Sequence, residues 1–74
     1  MAGITKHSVM TGGHRTSVSL EPEFWREFVS ICREEGISVS KKVEEIDSKR
    51  KVNLSSAIRL FVLSELRERL ARTS

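Results

Sequence analysis

The fold of this chain is decided by residues 14–22, which read HRTSVSLEP. Along an extended strand, even-numbered side chains face one side and odd-numbered side chains face the other. The even, largely apolar set is Thr16, Val18 and Leu20, and the odd, polar set is Arg15, Ser17 and Ser19. The pattern predicts a short strand that is buried on one side only. Pro22 then favours the first turn of a helix, where its missing N–H costs nothing.

Three helices are expected after this strand. The first begins at Pro22 and ends near Glu35, because Gly36 suits the left-handed residue that follows a helix. A second helical pattern opens at Ile37-Ser38, and a third begins after Asn53, which is a favourable N-cap residue. The third pattern is apolar around most of its circumference, which predicts burial on more than one side.

The segment in front of the strand, residues 1–13, is rich in Gly, Thr, Ser and His and ends in Gly12-Gly13. We expect a flexible arm here, a folded domain at residues 14–74, and no second strand of similar quality. A single strand cannot satisfy its own backbone N–H and C=O groups. The simplest partner is therefore the same strand of a second copy, paired antiparallel across a twofold axis.

The length of 74 residues allows one domain with a marginal core, since a chain of this size buries only about 60% of its unfolded surface. Small domains usually add disulfides, a metal or a partner subunit. Cys32 is the only cysteine, and with His7 and His14 it forms no metal-ligand set of recognised spacing. We therefore expect self-association, with no metal and no cofactor.

Several functional classes have little support in the sequence. No apolar run approaches the roughly 20 residues of a membrane-spanning helix, and residues 1–11 have no apolar signal region, so we expect a cytoplasmic protein. No His-acid pair is placed to activate a serine and no Gly-rich phosphate loop is present, so we expect no enzyme. The net charge of +3 fits an acidic partner such as nucleic acid.

The order of strand, helix, glycine turn and helix resembles the ribbon-helix-helix superfamily, which includes the Arc, MetJ and CopG repressors. The resemblance rests on RTSVSLEPEFW at residues 15–25, on Gly36-Ile37-Ser38 and on NLSSAIRLFVL at residues 53–63, and it covers residues 14–66. These segments look most like a group of small bacterial ribbon-helix-helix proteins. The resemblance implies a mainly α fold in which two subunits intertwine around a two-stranded antiparallel ribbon, one strand from each.

In that superfamily the ribbon enters the major groove of DNA and its outer side chains reach base edges. The resemblance therefore implies a nucleoid-associated DNA-binding homodimer that represses or autoregulates transcription, and leaves higher-order assembly on DNA open. Carried over by position, the base-contacting residues are Arg15, Ser17 and Ser19. The helical spacing of Trp25 favours packing over base stacking, and the expected dimer core consists of Val18, Leu20, Trp25, Phe28 and Phe61.

The sequence predicts three helices after the strand, whereas the usual member of the superfamily has two. The helix start at Gly36-Ile37-Ser38 and the one at Asn53 both resemble the segment that grips DNA phosphate, and the sequence leaves both open. The candidate phosphate contacts are Ser38, Lys41, Lys42, Lys51 and Asn53. The alternative for the two adjacent lysines is a solvated helix face with i to i+4 ion pairs, such as Lys41 with Glu45.

A second hypothesis makes the chain a protein-interaction module, such as an antitoxin or adaptor, with DNA binding secondary or absent. It rests on the third helix, whose apolar surface could exceed what a dimer buries. Steep salt dependence of DNA binding would favour the first hypothesis. Dependence on the exposed apolar residues of this helix would favour the second.

Overall fold

The computed structural model describes residues 3–73, which form a β-hairpin followed by three helices. The elements are β1 (Thr5–Thr11), β2 (His14–Leu20), α1 (Pro22–Glu35), α2 (Val39–Lys49) and α3 (Leu54–Thr73). The expected mainly α chain, with a strand directly before Pro22 and three helices after it, is confirmed. The ends of the expected arm and domain, Met1, Ala2 and Ser74, lie outside the described residues.

The two strands are joined by a two-residue turn at Gly12-Gly13. The φ angles of these glycines are 57° and 82°, both in the left-handed region that a type I′ turn requires and that residues with a Cβ rarely adopt. The strands pair antiparallel, from Thr5 opposite Leu20 at the open end to Thr11 opposite His14 at the turn. The glycine pair therefore allows the chain to reverse direction with both strands in register.

Strand β1 corrects the expectation for the N-terminal segment. Residues 5–11 are a strand of the folded domain, so the prediction that the chain offers no second strand is wrong. Val9 and Thr11 are buried on the inner face of β1, and His7 is half buried there. Threonine, serine and histidine make this alternation weak in the sequence. Pairing with β2 and burial of Val9 decide the conformation, because strand preference depends strongly on context.

The end of α1 is set by a Schellman motif. Gly36 follows the helix with a φ of 69° and donates its N–H to the Arg33 carbonyl at 3.1 Å. The next residue, Ile37, donates its N–H to the Cys32 carbonyl at 3.0 Å. The predicted role of Gly36 is thus confirmed.

The starts of α2 and α3 are set by side-chain caps. The Ser38 hydroxyl accepts the N–H of Lys41 at 3.1 Å, and the Asn53 side-chain oxygen accepts the N–H of Ser56 at 2.9 Å. Each cap satisfies one of the backbone donors that a helix start leaves without a partner. Both helix starts singled out in the sequence are therefore real.

The core lies between the inner face of the hairpin and the three helices. Val18, Leu20 and Phe28 are fully buried, and burying side chains of this kind stabilises the fold by about 1.5–3 kcal/mol each. The other buried apolar residues are Val9, Ile31, Cys32, Val43, Ile58 and Val62. Three residues expected in the dimer core thus pack within one chain, and Trp25 and Phe61 are partly buried against them.

Helix α3 is apolar on two sides, but only one of them is buried within the chain. Ile58 and Val62 lie in the core, whereas Leu60, Leu63 and Leu70 are 57%, 44% and 70% exposed. Given the 3.6-residue period, Leu60 lies on the side of the helix opposite Ile58 and Val62, and Leu63 and Leu70 lie next to it around the exposed side. None of the three helices in residues 3–73 is long and apolar enough to cross a membrane.

We expect Gly13→Ala to lower the free energy of unfolding by about 1 kcal/mol, because a Cβ is unfavourable in the left-handed region. Space is not the cause, since nothing lies within 4 Å of a Cβ placed there. Gly13→Asn should cost less, because Asn tolerates this region. Urea denaturation measures the change, with Gly3→Ala, at an open site without a positive φ, as the control. Equal effects of the two alanine substitutions would contradict the assigned turn.

Candidate nucleic-acid interface

The hairpin presents a polar outer face to solvent. Its side chains are Lys6, Ser8 and Met10 from β1 and Arg15, Ser17 and Ser19 from β2. All are exposed except Ser19, which is half buried. The alternation predicted for β2 is confirmed, since Val18 and Leu20 are buried on the inner face and Thr16 is half buried there. The three residues expected to contact bases therefore lie together on one surface.

The outer edge of β2 is bonded to α3. In a two-residue hairpin Thr11 and His14 exchange backbone hydrogen bonds, so the odd-numbered residues of β2 point their N–H and C=O groups away from β1. Ser19 is one of these residues, and α3 satisfies both of its backbone groups. The Ser55 hydroxyl accepts the Ser19 N–H at 2.9 Å, and the Arg59 guanidinium donates to the Ser19 carbonyl at 3.2 Å.

Arg59 also binds the residue that links β2 to α1. Its Nε donates to the Glu21 carboxylate at 2.9 Å, and this hydrogen bond is the main reason that the pKa of Glu21 lies below its usual 4.5. A carboxylate with a lowered pKa stabilises the fold above its unfolded pKa. The contribution of Glu21 is therefore present above pH 4.5 and is lost as the pH falls through the lowered pKa.

We expect Ser55→Ala to lower the free energy of unfolding by about 1 kcal/mol, because it removes the acceptor of a half-buried backbone N–H. Ser64→Ala is the matched control, since Ser64 is exposed on the same helix and its hydroxyl has no bonding partner within residues 3–73. Urea denaturation of the two variants measures the difference. If Ser55→Ala were as stable as Ser64→Ala, the bond between Ser55 and β2 would not anchor the strand.

The starts of α2 and α3 differ in their position relative to the hairpin. The start of α3 lies beside β2, because Ser55, two residues after the Asn53 cap, is bonded to Ser19. Helix α2 instead reaches the turn through its middle, where the Glu44 carboxylate accepts the N–H of Gly12 at 3.4 Å. Of the two starts that the sequence left open, the one at Asn53 is thus bonded to the strand that carries Arg15.

The lysines at the start of α2 differ in their surroundings. The Nζ of Lys42 lies 2.9 Å from the Glu35 carboxylate and 3.4 Å from that of Glu45, and 5.1 Å from the centre of the Phe61 ring. Its side chain is only 13% exposed. The Lys41 side chain is 61% exposed, and its Nζ is 3.9 Å from the nearest carboxylate oxygen. Both lysines pair at i to i+3 rather than at the expected i to i+4.

The ion pairs of Lys42 make its charge part of the fold. The hydrogen bond to Glu35 is the main cause that raises the pKa of Lys42 above its usual 10.5. A cation with a raised pKa stabilises the folded state fully below its unfolded pKa. This contribution is therefore present below pH 10.5 and is lost as the pH rises through the raised pKa.

Comparison with known families agrees with this arrangement. A family model described as a ribbon-helix-helix domain matches residues 4–66, which include both strands, α1, α2 and most of α3. The chain belongs to the ribbon-helix-helix family. The resemblance noted for residues 14–66 is confirmed, and the match begins early enough to include β1. No curated protein and no solved structure matches the chain.

Three residues on the outer face of the hairpin were not predicted from the sequence of this ribbon-helix-helix protein, namely Lys6, Ser8 and Met10. A repeat could have revealed them. Lys6-His7-Ser8-Val9 matches Arg15-Thr16-Ser17-Val18 in placing a basic residue, a polar residue, serine and valine in order. The two copies flank a Gly-Gly pair, and such a pair between alternating segments predicts a type I′ hairpin.

Trp25 packs within the ribbon-helix-helix chain, which agrees with packing rather than base stacking. Its ring stacks on the His7 imidazole, with centroids 4.0 Å apart and planes inclined by 7°, and its centroid lies 6.0 Å from that of Phe28. The Nε2 atom of His7 is buried and has no hydrogen-bond partner among residues 3–73. No three His, Cys, Asp or Glu side chains of that range are grouped to hold a metal ion.

The chemistry of the outer face suits hydrogen bonding to an external partner. Within residues 3–73 the side chains of Lys6 and Arg15 have no ion pair or hydrogen bond. A guanidinium can donate two hydrogen bonds to the O6 and N7 atoms of guanine, and a serine hydroxyl can donate or accept. Two paired strands lie about 4.8 Å apart, and such a ribbon fits a major groove about 12 Å wide.

Proposed function

We propose that this chain binds duplex DNA by inserting the outer face of its hairpin into the major groove. The observation that carries the proposal is the exposed polar ribbon, with Lys6 and Arg15 uncommitted to other residues of the described chain, in a member of the ribbon-helix-helix family. We further propose that it represses or autoregulates transcription on the nucleoid, in the cytoplasm. A net charge of +3 favours approach to the phosphate backbone.

Within this proposal the residues divide into base contacts and phosphate contacts. Arg15, Ser17 and Ser19 are the base contacts, because they lie on the outer face of β2. The favoured phosphate contacts are Lys51 and Asn53, which are exposed beside the α3 start that is bonded to the ribbon. Lys41 and Ser38 at the start of α2 are the second choice. We propose that Lys42 stabilises the fold rather than contacting phosphate, because its Nζ is already paired with two carboxylates.

We also propose that the protein acts as a homodimer whose subunits meet through the outer side of α3. Three exposed leucines on that side, Leu60, Leu63 and Leu70, form the apolar surface that a partner would cover. The intertwined ribbon implied by the resemblance would require β1 to leave β2, or Ser55 and Arg59 to release Ser19. A contact through α3 leaves all of these bonds in place.

The double variant Leu60→Glu/Leu63→Glu should raise the dissociation constant of the dimer at least tenfold, a change of about 1.4 kcal/mol. The reason is that two carboxylates would lose their hydration in an apolar contact. Sedimentation equilibrium measures the constant, and Arg33→Glu, at an exposed position of α1, is the control because it changes the net charge by the same amount. A variant that dimerises as tightly as the wild type would place the interface elsewhere.

Binding to a randomised duplex pool at several salt concentrations tests the DNA proposal. Arg15→Ala should weaken binding to the enriched site by about 1–3 kcal/mol and relax the preference at one base position. Lys51→Ala should weaken all sequences similarly and lower the salt slope by about 1. Arg33→Ala, which removes an exposed cation of α1 that has no ion pair within residues 3–73, is the control. If Lys51→Ala altered base preference and Arg15→Ala did not, the two roles would be wrongly assigned.

One observation supports a second function, that of a protein-interaction module such as an antitoxin or adaptor. The exposed leucines of α3 would then bind a different protein rather than a second copy. Absence of DNA binding at low salt, from protein shown to be folded, would reject the DNA proposal and leave this one. We propose no enzymatic role, because the depression of about 570 Å³ between α1 and α3 is lined by groups such as Glu34 and Arg69, which already pair at 2.8 Å.

A further inference from the structure

The outer face of the hairpin has an internal twofold pattern. The residues of β1 and β2 that correspond lie nine positions apart, so that Lys6 corresponds to Arg15, Ser8 to Ser17 and Met10 to Ser19. In the observed register Ser8 lies opposite Ser17. Lys6 lies opposite Ser19, and Arg15 lies opposite Met10. A half-turn about an axis that is perpendicular to the hairpin and passes through the Ser8–Ser17 pair therefore exchanges the two strands. It places Lys6 on the position of Arg15.

We propose that the hairpin of a single chain reads a short inverted repeat by itself, with Lys6, Ser8 and Met10 as further base-contacting residues. The inference rests on the proposed function and deepens it. A ribbon made of one strand from each of two subunits has this symmetry because the subunits are identical. Here the symmetry is encoded within one chain, since β1 approximately repeats the outer face of β2.

The spacing of the two cations defines the length of the element. Lys6 and Met10 are four residues apart on β1, which is about 13 Å along a strand. Arg15 lies opposite Met10, so the two cations are separated by the same length along the ribbon. At 3.4 Å per base pair this length corresponds to about four base pairs. Because the twofold pattern exchanges the DNA strands, the two cations would meet guanines on opposite strands at the two ends.

The two halves of the face are similar but not identical. Met10 is 44% exposed and offers only apolar contact, which suits the methyl group of thymine. Its counterpart Ser19 is half buried and can hydrogen-bond through its hydroxyl. We therefore expect the preferred element to be an imperfect inverted repeat, with a thymine preference near the base that Arg15 contacts.

Selection from a randomised duplex pool tests this with three variants. Lys6→Ala and Arg15→Ala should each reduce guanine preference about tenfold, at opposite ends of the same element. The double variant Lys6→Arg/Met10→Ser makes the outer faces of the two strands identical, and its selected element should become more symmetric than that of the wild type. All of the substituted side chains are exposed, and circular dichroism with urea denaturation checks that each variant folds. Arg33→Ala, at an exposed position of α1, should leave the selected element unchanged.

The outcomes separate this inference from the proposed function. Suppose that the wild type selects a defined site, that Arg15→Ala changes base preference, and that Lys6→Ala leaves it unchanged or weakens all sequences alike. The inference would then be overturned and the proposed function would stand. An unchanged element for the symmetrised variant would also overturn it. Failure of the folded wild type to select any sequence would overturn both.

Discussion

Strand β2 needs partners for the backbone groups on both of its edges, and most of the structure can be understood from how they are supplied. A chain of this size cannot bury unpaired N–H and C=O groups without losing much of its small net stability. On one edge β1 pairs along the full length of β2, made possible by the left-handed glycines at the turn. On the other edge Ser55 and Arg59 bond both backbone groups of Ser19. The hairpin is thereby bonded to α3, while every side chain of its outer face except Ser19 stays exposed.

The same arrangement explains how the core closes within one chain. Pairing of β1 places Val9 opposite Thr16 and diagonal to Val18 on the inner face, and the helices cover this face so that residues from all five elements are buried together. Lys42 joins three of these elements, because it contacts Glu35 at the end of α1, Glu45 on its own helix and Phe61 on α3. Its charge is stabilised by these carboxylates, and it is therefore a poor donor to an external phosphate. We therefore propose that Lys42, which the sequence offers as a candidate phosphate contact, serves the fold.

The helices and their ends were predictable because their causes are local. Pro22, Gly36, Ser38 and Asn53 each act within one turn of chain, so the residue type alone indicates the boundary. The outward-facing residues of β2 could also be predicted, because side chains along a strand alternate between its two faces. Strand β1 was missed because its polar residues give a weak pattern, and only pairing with β2 makes it extended. The contact between Arg59 and Glu21 spans 38 residues, and no local pattern indicates such a bond.

An internal ribbon changes what a dimer has to provide. When each subunit contributes one strand, the surface that reads DNA exists only in the dimer, and dimerisation and recognition are inseparable. In this chain the paired strands, their exposed face and the bonds that hold them all belong to one subunit. The exposed leucines of α3 lie on a different element from the ribbon, so a second copy can bind there without altering the hairpin. A dimer of this kind would add a second complete ribbon, and its benefit for affinity would come from effective concentration rather than from completing the site.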